Sequence, residues 1–161
     1  MLTPDPSLFR QLMSCFATGV TVVTVPSKED KPVGITINSL TSVSLEPPLA
    51  LFCLDRQAHV YPFFRNASAF AVNFLGEAQE NLSRHFADFR HNPEPENIWE
   101  VPQEGCPILR HTLGWMVCRK TEVYDGGDHD IILGKVLTLH KRAGQDDPLL
   151  YFHGRYRSIG K

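Results

Sequence analysis

Between residues 34 and 48, hydroxyl and amide side chains are set among aliphatic and β-branched ones. Thr36, Asn38, Ser39, Thr41, Ser42 and Ser44 interleave with Ile35, Ile37, Leu40, Val43 and Leu45, and the run closes on Pro47-Pro48. Extended chain of this kind offers short hydrogen-bonding groups on one side while its other side packs into a core. A large planar ligand with a polar edge and apolar faces needs such a surface. The plainer alternative is an exposed strand rich in Thr and Ser. Far downstream stands Gly127-Asp128-His129. Its glycine permits a tight turn, Asp128 is placed to close that turn through an Asx-type bond, and His129 opens the apolar run Ile131-Ile132-Leu133. An imidazole so placed can orient a polar group of a ligand; on its own, the tripeptide is simply a hairpin turn. A third candidate is Cys53-Leu54-Asp55-Arg56, at the end of an apolar run. The Arg56 guanidinium presents paired donors suited to a phosphate, with a surface arginine as the alternative.

These residues need elements to position them. Asp5 with Pro6 is an N-cap signal, and Leu8/Leu12 with Phe9/Met13/Phe16 recur at helical spacing, which predicts a helix ended by Gly19. The β-branched run 20–25 predicts a strand, residues 26–32 a loop, and further strands are expected at about 34–45 and 49–54. Residues 61–66, with Pro62 near the start, predict a short helix, and 69–75 a strand. Leu82, Phe86 and Phe89 mark one face of a helix over 77–89. Residues 91–105 contain three prolines and little periodicity, and predict the longest loop, of the kind used as a lid or contact region. Strands at 113–123, 129–139 and 148–152 are separated by turn chemistry without helices, so they pair antiparallel. The expected fold is mainly β, one domain over 1–161, with a barrel-like antiparallel sheet and a few peripheral α-helices.

Composition bounds the chemistry. With 161 residues, 42% hydrophobic and 21% charged, the chain has the make-up of an ordinary globule. A net charge of -2 leaves no excess of Lys and Arg to neutralise phosphates, which argues against a nucleic-acid partner. No apolar stretch reaches the length of a membrane span, and the first residues carry no basic region followed by an apolar run. Cys15, Cys53, Cys106 and Cys118 lack CxxC spacing, so a reduced, cytoplasmic protein is expected. GxGxxG, Walker A, HExxH and GxSxG patterns are absent, and no metal site is expected. Any nicotinamide nucleotide would have to be held without a Rossmann motif.

The run from Gly34 to Pro48 resembles the flavin-binding segment of the short-chain flavin reductase family, the reductase partners of two-component flavin monooxygenases. The resemblance extends over nearly the whole chain, through residues 18–24, Ser83-Arg84-His85-Phe86-Ala87, Gly127-Asp128-His129 and the closing Tyr151-Phe152-His153-Gly154-Arg155-Tyr156. It implies a split β-barrel homodimer with FMN or FAD at the subunit interface. Thr36, Ile37, Asn38, Ser39 and Ser42 would contact flavin, with Cys53, Leu54, Asp55 and Arg56 as a second segment. Asp128 and His129 would lie beside nicotinamide, His129 positioning it and not serving as an obligatory proton donor. Phe86 would line the flavin site or simply pack in the core, and Tyr156 would stack on nicotinamide or pack. The chain departs from the family after Arg56: Ala58-His59-Val60 stands where many members have Ser-x-Thr, so amides at the start of the helix near Tyr61 are the alternative phosphate donors. The implied function is an NAD(P)H:flavin oxidoreductase that supplies reduced flavin to a monooxygenase. A tight FMN-binding electron carrier and another split-barrel flavin oxidase are the alternatives.

Overall fold

The computed structural model describes residues 5–27, 31–88, 90–144 and 146–159. Helix α1 spans Pro6–Met13, and the Asp5 carboxylate caps it, accepting from the Ser7 and Leu8 amides at 2.8 and 2.9 Å. The helix stops well before Gly19. Ser14 closes it, its amide donating to Arg10 O and its hydroxyl to Gln11 O, because Thr18 and Gly19 are drawn into a strand, β1 (Thr18–Gly19).

Strands β2 (Thr21–Val25) and β3 (Val33–Ile37) follow, then β4 (Thr41–Leu45) and β5 (Pro48–Asp55). The single strand expected over about 34–45 is therefore two, broken at residues 38–40. Helix α2 (Tyr61–Asn66) begins with Pro62 in its first turn, and β6 is Ala69–Phe74. A 3₁₀ turn (Glu77–Gln79) leads into α3 (Glu80–Ala87), so the expected helix over 77–89 is shorter and tighter at its start; Phe89 lies outside the described residues. Strands β7 (Gly114–Gly126) and β8 (His129–Lys141) form a long hairpin. The strand anticipated over 148–152 is β9 (Leu150–Phe152), and β10 (Arg155–Arg157), unforeseen in the sequence, doubles back on it. His153 and Gly154, at φ of +50° and +70°, make their two-residue turn.

Seven strands form one antiparallel sheet in the order β3-β2-β6-β7-β8-β5-β4, while β1, β9 and β10 form a second, smaller one. The two edge strands of the large sheet, β3 and β4, are consecutive in the chain and joined by three residues. Four Cα steps reach at most about 14 Å, so the sheet must curl until its edges approach. No β3–β4 ladder forms among the described residues, and the result is a barrel split along that seam.

Inside the curl, Val23, Val25, Phe52, Leu54, Phe64, Phe70, Val72, Cys118 and Ile132 are buried together, with Phe52 edge-on to Phe70 at 5.1 Å and to Phe64 at 6.2 Å. Full burial of such side chains contributes about 1.5–3 kcal/mol each. A second cluster (Val20, Val22, Leu75, Leu82 and Leu109) lies beneath α3, with Phe86, Trp99, Tyr151 and Tyr156 against it. The segment expected as the longest loop has bridges of its own, Trp99 with Leu109 and Gln103 with Cys106. Fully buried Asn73 ties the chain just beyond it to the sheet. Its Nδ2 donates to Val22 O at 3.1 Å and Thr24 Oγ1 at 3.2 Å, and its Oδ1 accepts from the Leu109 amide at 2.9 Å. Thr24 Oγ1 in turn donates to Pro107 O at 2.6 Å. Cys118 and Cys106 are free and buried, their thiols pushed up by burial to about 12 and about 11, so both act as small hydrophobes.

Candidate functional site

The seam between β3 and β4 gathers one group of the candidate residues, Thr36 to Ser39 with Tyr156. Thr36 points its hydroxyl at α3, donating to Ser83 O at 2.7 Å, and Ser83 Oγ shares a 2.8 Å hydrogen bond with Tyr156 Oη. Thr36, Ile37, Asn38, Ser83, Ala87, Tyr151, Tyr156 and Val20 line a cavity of about 200 Å³. On the other side of Asn38 a larger cavity of about 670 Å³ runs along residues 17–21 and 38–41, floored by Phe74, Leu75 and Leu149. Thr18 Oγ1, on this cavity, is buried and unpartnered among the described residues. Such an atom invites a ligand or a water.

Ser39 links the seam to the second segment. Its hydroxyl accepts from the Cys53 amide at 3.0 Å and lies 3.3 Å from Cys53 O. From there the register carries the site along the sheet. Cys53 pairs with Ile131, which pairs in turn with Tyr124, and the next row on the same face is Asp55, His129 and Gly126. Neighbouring rows on one face of a strand are about 7 Å apart. Ser39, Cys53, Asp55 and His129 therefore occupy one continuous strip, although 90 residues separate Ser39 from His129 in sequence. Leu54 faces the opposite way, into the core, and Ser42 stands exposed on β4.

The Gly127-Asp128 turn differs in detail from the sequence expectation. Asp125, not Asp128, makes the Asx-type bond, accepting from the Gly127 amide at 2.9 Å. Gly127 takes φ +83°, as a glycine readily does. The Asp128 carboxylate instead lies 2.6 Å from His129 Nδ1, and that hydrogen bond holds Asp128 below the usual carboxylate range. A carboxylate can only accept, so Nδ1 donates in this contact, and the tautomer that places its one proton there leaves Nε2 as an acceptor.

Arg56 is engaged by this turn. Its Nε donates to Asp130 Oδ1 at 2.7 Å, Nη1 to Gly127 O at 2.9 Å and Nη2 to Asp125 Oδ1 at 2.9 Å, while its backbone amide donates to Asp128 O at 3.1 Å. Asp130, only 4% exposed, also accepts from Tyr61 Oη at 2.6 Å. The Tyr61 hydroxyl and then Arg56 keep that carboxyl ionised to lower pH than usual. The start of α2 offers few amides to a phosphate: Tyr61 N donates to Ala58 O, Phe63 N to Val60 O, and Pro62 has none.

Phe86 lies away from the lining of the smaller cavity. Its ring covers Gly34 and sits edge-on to Trp99 at 5.9 Å, inside the second cluster. Tyr156 packs and lines at once: its ring lies under the Arg84 guanidinium at 4.9 Å and edge-on to Tyr151 at 5.4 Å. The sequence alone assigns no side-chain role to Thr18, Ser83, Tyr61, Asp125 or Asp130. Asp125 stood within recognisable turn chemistry, whereas the Tyr61–Asp130 contact joins residues 69 apart and leaves no local trace.

Residues 13–160 match the model of the "Flavin reductase like domain". A "Probable flavin reductase" of Rhizobium meliloti (strain 1021) is 40% identical over 152 residues, covering 94% of this chain but only 48% of that relative, so the chain spans about half its length. The "FMN reductase (NADH) SmoA" of Agrobacterium fabrum is 40% identical over 149 residues, covering 92% of this chain and 83% of the relative. Among solved structures, the NADH:FAD oxidoreductase SgcE6 of Streptomyces globisporus C-1027, in complex with NAD and FAD fragments, superposes with a TM-score of 0.88 at 35% identity, over 99% of this chain and 98% of that one.

Proposed function

The chain belongs to the flavin reductase-like family, and on that premise we propose that residues 1–161 act as one NADH:flavin oxidoreductase unit that delivers reduced flavin to a monooxygenase. The observation that carries the reading is the strip Ser39–Cys53–Asp55–His129, which joins the seam to the Gly127-Asp128 turn on one sheet face. A flavin fits what is present there. The larger cavity has the volume of sites for ligands of that size, Thr18 with its unpartnered Oγ1 is among its lining residues, and Asn38, Ser39 and Thr41 supply short polar groups.

Flavin, when bound, supplies the hydride-accepting ring, and the protein supplies orientation and electrostatics. Thr36, Asn38, Ser39 and Ser42 and the main chain of Ile37 hold its polar edge, with Cys53 and Asp55 bordering it and core-facing Leu54 contributing only main chain. Tyr156 closes the side next to α3. His129, its Nδ1 fixed by Asp128, presents Nε2 to accept from the carboxamide of nicotinamide, so it orients the hydride donor and transfers no proton. A second copy of the chain completes the site. In support, Phe9, Leu12 and Phe16 near the N-terminus and Leu45 and Leu139 at the sheet are all more than 60% exposed, an apolar surface that another subunit would cover.

The test is aerobic NADH oxidation at 340 nm with FMN, with FAD and with neither, together with His129→Ala. Flavin-dependent turnover is expected, and His129→Ala should raise the KM for NADH on the order of tenfold with the flavin Kd nearly unchanged. Turnover absent while flavin remains bound would favour an electron carrier or oxidase. Equal loss of flavin affinity in His129→Ala would refute the placement of His129.

A further inference from the structure

We propose that Arg56 is a positioning residue for the nicotinamide side of the site: it grips the β7–β8 turn and thereby sets the His129 ring, and it is not the ligand of the flavin phosphate. The inference rests on the placement of His129 at nicotinamide proposed above.

Its geometry is that of a brace. The guanidinium is anchored on one side to the buried Asp130 carboxylate, which Tyr61 holds by its second oxygen. On the other side it reaches Gly127 O and Asp125 Oδ1, while the Arg56 amide donates to Asp128 O, so the turn is held at three points, Asp125, Gly127 and Asp128, from the end of β5. Asp125 ties the brace to the turn a second time through the Gly127 amide. His129 directly follows Asp128, and it pairs with Asp55, the neighbour of Arg56. A shift of Arg56 is therefore passed to His129 by two short routes, one through the hydrogen bond to Asp128 O and one peptide link, the other through Asp55 and its strand pairing with His129.

Charge argues in the same direction. All three guanidinium nitrogens of Arg56 are engaged by protein acceptors, and its positive charge, with Arg65 3.9 Å from Asp130, faces Asp125 and Asp130, with Asp128 at the same turn. A phosphate dianion brought here would meet more negative charge than positive. The three bonds also diverge in the plane of a guanidinium, a pattern that the point charge of a lysine does not reproduce.

The experiment compares Arg56→Ala, Arg56→Lys, Asp125→Ala and His129→Ala. The readouts are the KM for NADH, kcat, the flavin Kd from fluorescence titration, and amide hydrogen exchange over residues 124–130 in flavin-free protein. Arg56→Ala and Arg56→Lys should each raise the KM on the order of tenfold, leave kcat and flavin Kd within about twofold, and speed exchange in the turn about tenfold or more. Asp125 is exposed, so Asp125→Ala should fold normally and show the same changes to a smaller degree; should Arg56→Ala fail to fold, this variant decides. A raised flavin Kd with an unchanged KM in Arg56→Ala would make Arg56 a phosphate ligand and overturn the proposal. Full rescue by Arg56→Lys, or exchange and KM both unchanged in Asp125→Ala, would overturn it as well. If His129→Ala leaves the KM unchanged, the placement of nicotinamide fails, while the exchange data still judge the grip on the turn.

Discussion

Gly34→Ala tests the junction between α3 and the seam. A methyl group in a strand ordinarily stabilises, by about 0.5–1 kcal/mol relative to glycine. Here an ideal Cβ would stand 2.7 Å from both Cδ1 and Cε1 of Phe86 and 3.3 Å from Thr24 Cγ2. Carbon contacts are optimal near 3.5–4.0 Å, so the ring must retreat by about 1 Å. It has little room, because Trp99 meets it edge-on at 5.9 Å and His85 at 4.8 Å. The displacement is therefore handed to α3, and it stretches the 2.7 Å bond from Thr36 Oγ1 to Ser83 O. Overpacking at about 1–3 kcal/mol, with about 1 kcal/mol for the weakened hydrogen bond, outweighs the gain in strand propensity. The net destabilisation is about 2 kcal/mol, a fall of about 4–8 °C in Tm for a chain of this size. Scanning calorimetry measures it, and fluorescence titration should show weaker flavin binding in parallel, since Ser83 and Ala87 line the cavity beside Thr36. In a Phe86→Leu background the same substitution should cost less than about 1 kcal/mol, because the smaller side chain vacates the space. An unchanged Tm for Gly34→Ala, or an equal loss in both backgrounds, would refute the tight seat between Gly34 and Phe86.

Asn73→Ala removes three buried hydrogen bonds and strands the Leu109 amide. At about 1 kcal/mol per bond and 1–3 kcal/mol for the orphaned donor, the loss is about 4–6 kcal/mol, read as a fall in Tm of at least about 8 °C. Asp130 makes stability depend on acid. Its folded pKa lies below the ordinary 3.8, so its contribution is fully present above the unfolded value and is lost as pH falls through the folded one. Melting between about pH 5 and pH 3 should therefore decline more steeply for the natural chain than for Asp130→Asn, and equal slopes would count against that coupling.

Much of the architecture was legible because local chemistry and tertiary structure agree. The β-branched run of β2 is buried at every residue, and Pro62 in the first turn sets α2 at the expected bounds. Where the two diverge, the cause is non-local. Asn38 and Ser39 suit a strand as well as a corner, and nothing nearby signals that the sheet must break there to bring its edges round. Phe16 continues the helical spacing of α1, yet the pairing of Thr18 and Gly19 with Tyr151 and Leu150 takes the chain out of the helix. The site followed the same division. Thr36–Ser39 and the Gly127-Asp128 turn stand out by residue type, and the register of β5 with β8 sets them along one sheet face. The partners of Arg56 are 69, 71 and 74 residues away, so a guanidinium at a strand end suggested a phosphate when its surroundings are a turn and two carboxylates.

The split between β3 and β4 has a consequence for how such a wall can accept a guest. In a closed barrel every backbone N–H and C=O around the circumference is satisfied by a neighbouring strand, and a flat molecule finds no vacancy. Leaving one join unzipped frees a file of main-chain donors and acceptors on each lip, and the three-residue hinge at 38–40 keeps the lips from drifting apart. A heterocycle with its own edge of donors and acceptors can serve as the missing rungs. The loops can then diverge in sequence while the opening survives, because it is written into strand order and not into any single side chain.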